Sequence, residues 1–272
     1  LRIVDRLYQR IYNRVGIMCA EQFTEVAPWY DDLMAEVPYQ NWVRYVEKLA
    51  QLHGLSPKSV LDLACGTGRV SRILAQKGYA VVGVDGSPAM IREAQSKTNG
   101  EIPFYCQRMQ ELSLNQRFDL VICLFDSLNY ITEPLELQTA FYRVSEHLNP
   151  GGLFIFDVNG EAAYTNNLFT QTSLGRWRKV QYVWQADYNP STRICEVHMR
   201  FIVNENGRKR EFFEVHRQRC YTVPEIQNYL QQAGLECLEC LDAFTTRPAT
   251  KASDRIYFVA RKILAEHNQS HE

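Results

Sequence analysis

The feature that most limits how this chain can fold is one loop, Asp62-Leu63-Ala64-Cys65-Gly66-Thr67-Gly68, set between an apolar run and a helical one. VLDLACGTG reads as a short strand ending in a glycine-rich turn, and RVSRILAQKG follows with helical spacing. Twenty-three residues after Asp62, Asp85 ends a second apolar strand, YAVVGVD. An acid at that place can accept both hydroxyls of a ribose at a topological switch point. The glycines let the backbone approach a ligand closely, because no Cβ stands in the way. A plain strand-helix turn also tolerates Gly-x-Gly; the acid before the loop and the acid after it distinguish a binding site from such a turn.

From Ser59 onward strands and helices alternate. SPAMIREAQSK reads as a helix with Ser87 as its cap and Pro88 at its first position. IPFYC is a weaker third strand, and FDLVICLFD a strong fourth, β-branched and without interior Gly or Pro. LELQTAFYRVSEHL places Leu137, Phe141, Val144 and Leu148 on one helical face; Asn149-Pro150-Gly151-Gly152 stops it, and LFIFDV is a fifth strand. Such alternation calls for a parallel sheet covered on both faces. After about Gly160 the rhythm changes. KVQYVWQADY, RICEVHMRFIV and KREFFEVHRQRCY are extended segments, the last two joined through Asn204-Glu205-Asn206-Gly207, whose Asn-Gly pair is a hairpin signal. Thr222 then caps VPEIQNYLQQAG, with Gly234 past its end, and LECLECLDAF and DRIYFVARK close the sheet.

Composition narrows the functions open to this fold. Hydrophobic residues make up 46% and charged residues 22%, close to globular averages of about 45–50% and about 25%. Thirty Lys and Arg against thirty-one Asp and Glu leave a net charge of -1, which offers no bulk attraction to nucleic acid or an anionic membrane. No run approaches the ~18 apolar residues of a membrane span. At the start, Arg2, Arg6, Arg10 and Arg14 recur with Ile3, Leu7, Ile11 and Val15 at intervals of four. That pattern is an amphipathic helix with an arginine stripe, not a secretory leader. The first residue is Leu1 rather than Met, so residues upstream of it are expected. Among eight cysteines, Cys237 and Cys240 lie three apart in an extended segment. They are expected to point to opposite faces, which suits neither a metal nor a redox pair. No other spacing completes a zinc site, so no metal is expected; free thiols fit a reducing cytoplasm.

Two nucleoside cofactors use the strand-loop-helix layout. A dinucleotide has a pyrophosphate and needs G-x-G-x-x-G; Gly66 and Gly68 match, but the third position is Ser71. S-adenosylmethionine has no phosphate and presents a zwitterionic tail and a sulfonium. The D-x-A-x-G-x-G loop suits that tail, with main-chain carbonyls near Ala64 receiving the ammonium.

In VLDLACGTGRV, VVGVDGSPAMI, FDLVICLFDSLNY and NPGGLFIFDVN the sequence resembles class I S-adenosylmethionine-dependent methyltransferases, and most nearly bacterial ones of the small-molecule type. Tyr30-Asp31-Asp32-Leu33-Met34, the Tyr39 to Trp42 pair and His216-Arg217-Gln218-Arg219-Cys220-Tyr221-Thr222 extend the resemblance over roughly residues 23 to 262. It implies an α/β fold, a Rossmann-like seven-stranded sheet in the order 3-2-1-4-5-7-6 with the last strand antiparallel. The corresponding organisation is an N-terminal helical cap over 1–55, a cofactor-binding core over 56–159 and an inserted antiparallel β lid over 160–221. The rest of the core covers 222–262, with a flexible tail over 263–272. The resemblance also implies S-adenosylmethionine as donor and S-adenosylhomocysteine as product. Asp62, Ala64, Gly66 and Gly68 would line the methionine end, Asp85 would bind the ribose, and Gly86, Ser87 and Met90 would flank ribose and adenine. Met109 would pack on the adenine, Leu124 and Phe125 would face the methyl group, and Tyr30 would close over the cofactor. Where the family often has an Asp that bonds the adenine amino group, this chain has Arg108, which has donors only; Gln107, a water or apolar contact would then serve.

On the acceptor side, methyl transfer needs a positioned nucleophile and excluded water, with a base only where a proton must leave. Phe125-Asp126-Ser127-Leu128-Asn129-Tyr130 lacks the acid, Asn or Ser followed by Pro-Pro and an aromatic that nucleobase amine methylation uses. Asp126 and Tyr130 are catalytic candidates; Asp126 either orients an amine or hydroxyl or caps its loop. Asp157 and Asn159 share that edge. Alternation puts Phe212, Glu214, His216 and Gln218 on one face. Facing the pocket, His216 is the general-base candidate; facing water, these are ordinary strand residues. Tyr182 and Trp184 share a face and either wall the substrate or pack in the core. The function expected is methylation of a small-molecule N- or O-nucleophile, with neither nucleic acid nor membrane as partner. Rival readings are an RNA or protein methyltransferase using the N-terminal arginines with Arg208, Lys209 and Arg210, or a cofactor-binding module without catalysis. A nicotinamide oxidoreductase is disfavoured by Ser71.

Overall fold

A computed structural model describes residues 22–175, 179–205 and 207–263. The N-terminal arginine helix, Asn206 of the lid hairpin and nearly all of the C-terminal tail lie outside the described residues. After a strap of turns and bends over residues 22–26, two short helices follow, a 3-10 turn (Ala27–Trp29) and α1 (Tyr30–Leu33), then α2 (Tyr39–Leu52). The core continues β1 (Ser59–Leu63), α3 (Arg69–Gln76), β2 (Ala80–Asp85), α4 (Pro88–Ser96), β3 (Phe104–Cys106), β4 (Phe118–Cys123), α5 (Pro134–His147) and β5 (Leu148–Asn159). Next come α6 (Glu161–Thr165), β6 (Gln171–Ser173), β7 (Val180–Asn189), β8 (Ile194–Glu205) and β9 (Arg208–Arg219), before α7 (Val223–Gln232), β10 (Leu235–Asp242) and β11 (Arg255–Lys262).

Seven strands form one sheet in the order β10-β11-β5-β4-β1-β2-β3. Numbered within the sheet alone, this is the expected 3-2-1-4-5-7-6. β1 to β5 run parallel, and β11 is antiparallel to both β5 and β10. Period-two alternation divides the core. On β5, Phe154, Phe156 and Val158 pack with Leu137 and Phe141 of α5 and Ile226 and Leu230 of α7. Leu153 and Ile155 face the other way, toward Val43 and Val46 of α2, Val70 and Leu74 of α3 and Ile91 of α4. The rings of Phe154, Phe156 and Phe258 stack in series at 4.5 and 5.0 Å. Two of the helices carry side-chain caps. Ser87 caps α4 by accepting from Met90 N–H, and Thr222 and Glu225 form a reciprocal capping box at α7.

β6 to β9 form a separate four-stranded antiparallel sheet. α6 and β6 were not read from the sequence: both are short, and β6 is polar and largely exposed. The lid sheet packs its apolar face, including Val197, Phe201 and Phe212, with Val26, Ala27, Ala89 and Met90. Tyr182 and Trp184 stack at 4.5 Å and border this same cluster. Two readings change. β5 begins at Leu148, paired with Phe118, and the Asn149–Gly152 stretch is accommodated by a register shift. A second irregularity, between Cys237 and Glu239 of β10, overturns the expectation for the two cysteines. The bulge cancels one step of alternation and brings Cys237 and Cys240 together, Sγ to Sγ 3.6 Å. Among the described residues no helix is long and apolar enough to cross a membrane.

Candidate active site

The carboxyl ends of β1, β2 and β4, the edge at which open α/β sheets bind ligands, carry the candidate residues. Asp62 lies near the end of β1, buried, and accepts from Ser71 Oγ at 2.5 Å. Ser71, the residue that breaks the dinucleotide pattern, thereby pins the loop to α3. Burial pushes the Asp62 carboxyl up to about 7, with Asp85 adding to the rise. Ala64 has φ 60, a left-handed conformation that costs a non-glycine residue of order 1–3 kcal/mol. Gly66 (φ +54) presents open space where a Cβ would stand. Gly68 differs: a Cβ there would lie 2.8 Å from the Phe104 ring, so packing of α3 on β3 demands that glycine.

Asp85 ends β2 and accepts from Gly66 N–H on one oxygen and Ser87 N–H on the other, each at 2.8 Å. Burial raises its carboxyl against those two bonds. Neither Asp62 nor Asp85 forms an ion pair with a described residue, so among those residues both are desolvated acids without a countercharge. Gly86 is exposed and Ser87 donates to Phe23 O at 2.9 Å. Met90 is buried in the cluster with Val26 and Ala27. Met109 is half-buried at the head of a 3-10 turn (Met109–Glu111). Tyr30 has a phenol raised chiefly by burial and also by Tyr39, Tyr130, Asp126 and Asp85. Its ring meets that of Phe23 edge-on at 6.1 Å.

That exit is strained: Phe125 and Asp126 are both left-handed, at φ 62 and 51. Their N–H groups donate to the two oxygens of Asp157, at 2.8 and 2.9 Å. Arg255, missed in the sequence, clamps the pair. It bonds Asp157 and, at 2.8 Å, Asp126, with its guanidinium over the Trp42 ring. Gln218 takes the other Asp126 oxygen at 2.6 Å. Both oxygens of Asp126 are thus engaged. The Leu124 and Phe125 side chains join the α2 side of the core, and Phe125 stacks on Trp42 at 4.0 Å.

The 3-10 turn Ser127–Tyr130 follows. Asn129, fully buried, donates to Arg219 O and accepts from Asn159 N–H, fastening the turn between β9 and β5. Tyr130 Oη meets His216 Nδ1 at 3.2 Å, and His216 Nε2 meets Glu214 Oε2 at 2.7 Å. The face Phe212, Glu214, His216, Gln218 is buried throughout. Burial raises the Glu214 carboxyl, but bonds from His216 and from the Val26 and Phe23 amides outweigh it and hold the group below the usual range. Glu214 and His216 are two residues apart on one strand; their junction with Tyr130 exists only in three dimensions.

Two unpaired acids beside an open glycine cradle suit a ligand bearing positive charge and a ribose. The residues present fit S-adenosylmethionine on that ground, since its sulfonium and ammonium are cationic and its hydroxyls are donors. A family model for a methyltransferase domain matches residues 60–152. A relative from Geobacillus sp. (strain WCH70), bearing the name of a methyltransferase, is 33% identical over 249 residues, 88% of this chain and 99% of its own. The chain is a class I S-adenosylmethionine-dependent methyltransferase. The crystal structure of a methyltransferase of this dependence from Clostridium acetobutylicum superposes on it with a TM-score of 0.78 and 30% identity, over 89% of this chain and 98% of the other. A dTDP-3-amino-3,6-dideoxy-alpha-D-glucopyranose N,N-dimethyltransferase from Streptomyces fradiae is 31% identical over 141 residues, 51% of this chain and 54% of its own. In this methyltransferase Arg108 turns outward to Glu136 of α5 at 3.3 Å. Gln107 is committed to Ser113 by two bonds.

Proposed function

We propose that this methyltransferase methylates an amino or hydroxyl group of a small molecule held beneath the lid sheet, using Tyr130 and His216 to remove the acceptor's proton. The observation that carries the reading is the buried chain Tyr130–His216–Glu214 at the carboxyl edge of the sheet. In it the His216 side chain is 3% exposed and that of Glu214 is 0%. Such enclosure admits a compact acceptor far more readily than a folded macromolecule. The Streptomyces relative, named for an amino-sugar acceptor, and a net charge of -1 support the same class.

Asp85 is assigned to the ribose and the Asp62–Gly68 loop to the methionine end, with Met109 against the adenine and Tyr30 above. S-adenosylmethionine supplies a methyl carbon activated by sulfonium, so the acceptor lone pair forms its new bond as the carbon–sulfur pair returns to sulfur. Glu214, ionised, accepts Nε2–H of His216, which leaves Nδ1 as acceptor for Tyr130 O–H. The Tyr130 oxygen keeps lone pairs for the acceptor's proton. As that proton arrives, the phenolic proton passes to Nδ1, and Glu214 stabilises the imidazolium that results. Asp126, held by Arg255 and Gln218, keeps the turn bearing Tyr130 in place.

The test is incubation of cell extract with methyl-labelled S-adenosylmethionine and the purified enzyme, followed by fractionation. Label is expected in a small-molecule product, and His216→Ala should slow its appearance roughly 100-fold or more with cofactor affinity little changed. Label confined to RNA or protein, or full-rate transfer by the variant, overturns the proposal.

A further inference from the structure

The strap that precedes the first helix does more than cover the pocket. Phe23, Thr24, Glu25 and Val26 all turn their N–H groups onto one carboxylate, that of Glu214, at 3.0, 3.2, 2.8 and 3.0 Å. Three of these reach Oε1; the Phe23 amide shares Oε2 with His216 Nε2. Phe23 has φ 61, and a left-handed residue within a run of amides makes the concave nest that binds an anion. Its ring lies edge-on to His216 at 4.5 Å and tilted on Tyr130 at 5.1 Å. Its carbonyl is tied to Ser87 at the cofactor strand's exit. Among the described residues no Lys or Arg pairs with Glu214, so its charge rests on five N–H donors alone.

We infer that Glu214 is a positioning residue, kept ionised by the strap amides, that fixes the proton order of His216. This goes beyond holding the strap. An ionised carboxylate has no hydrogen to give, so Nε2 carries the proton and, in the neutral ring, Nδ1 is bare. Only that tautomer faces Tyr130 with an acceptor. A glutamine of the same shape keeps an acceptor for the Thr24, Glu25 and Val26 amides through its carbonyl and gives up only the Phe23 amide. Its NH2 then points at Nε2, the ring must place its proton on Nδ1, and Tyr130 loses the group that receives its hydrogen. A latch without a catalytic consequence loses that one strap bond in the exchange and leaves the rate of transfer unmoved.

The catalytic part rests on the Tyr130–His216 reading, whereas the tautomer is measured without turnover. In the full-length protein labelled with 15N-histidine at neutral pH, His216 is expected to show a protonated Nε2 and a bare Nδ1. Glu214→Gln is expected to reverse this, keep S-adenosylhomocysteine affinity within about threefold, and slow label transfer to the small-molecule fraction by roughly 100-fold. A wild-type His216 protonated on Nδ1, or a tautomer unmoved in Glu214→Gln, overturns the inference. Reversal of the tautomer with full-rate transfer instead upholds the assignment of Glu214 to proton order and sinks the base role of His216. If the variant does not fold, the wild-type spectrum decides.

Discussion

Asp85 uses one lone pair on each oxygen for Gly66 and Ser87, and a carboxylate has about four acceptor positions in all. Two hydroxyls of a ribose can occupy the rest. Asp85→Ala is expected to weaken S-adenosylmethionine binding by one to two orders of magnitude in calorimetry, the loss of charge-assisted bonds worth roughly 1.5–3 kcal/mol; unchanged affinity removes the ribose assignment. Asp62 sets a pH dependence. Its folded carboxyl, at about 7, lies above the ordinary 3.8, so between those values the native state holds a proton that the unfolded chain has released. The associated stability is present in full below the ordinary value and is lost as pH rises through about 7. A cationic ligand beside Asp62 favours the ionised form, so binding should expel a proton and strengthen as pH rises through neutrality. Calorimetry in buffers of unlike ionisation enthalpy reads that proton, and Asp62→Asn should abolish it. Equal heats in both buffers for the wild type would count against this assignment.

At the scale of elements, the strained end of β4 is held from β11. Arg255 joins Asp126 and Asp157, while Asp157 receives the two left-handed amides. Arg255→Met leaves Asp157, which is fully buried, without a countercharge. Breaking such a pair costs about 3–5 kcal/mol, to be read from urea unfolding. Adding Asp157→Asn should recover part of the loss, and no recovery would mean that packing on Trp42 rather than charge makes the contact. Asp31 works likewise on the other side. It bonds Thr67 of the cofactor loop and pairs with Lys97 behind α4, so α1 is fixed to the cradle that it overhangs.

For the whole molecule, lid, strap and cradle form one enclosure, since the strap bonds β9 through Glu214 and the cradle through Ser87. A ligand held there stabilises the native state by mass action. S-adenosylhomocysteine at 100 times its Kd is expected to add about 2.7 kcal/mol, a rise in Tm of roughly 5–10 °C for a chain of this size. NADH at the same concentration should leave Tm unmoved, and a matching rise would revive the dinucleotide reading.

The strand-helix alternation and the glycine loop with its flanking acids were legible because they are local. Asp62 to Gly68 is one strand-turn-helix, Asp85 is the next strand end, and hydrophobic period marks each strand and helix of a parallel sheet, whose order was implied by the family resemblance alone. What fails to show locally is set by pairing between distant segments. The β10 bulge that unites Cys237 and Cys240 depends on register with β11, and Arg108 faces outward because Glu136 of a later helix is there to meet it. The buried hydrogen-bonded cluster joins the amides of Phe23 to Val26 with Tyr130, Glu214 and His216, brought together by three different elements. The sequence by itself determined the fold class and the strand-turn-helix of the glycine loop, since alternation and turn chemistry act over a few residues. Tertiary structure alone decided which carboxylates are held above or below their ordinary range and which groups meet the His216 ring, because burial and hydrogen-bond partners come from chain segments far apart.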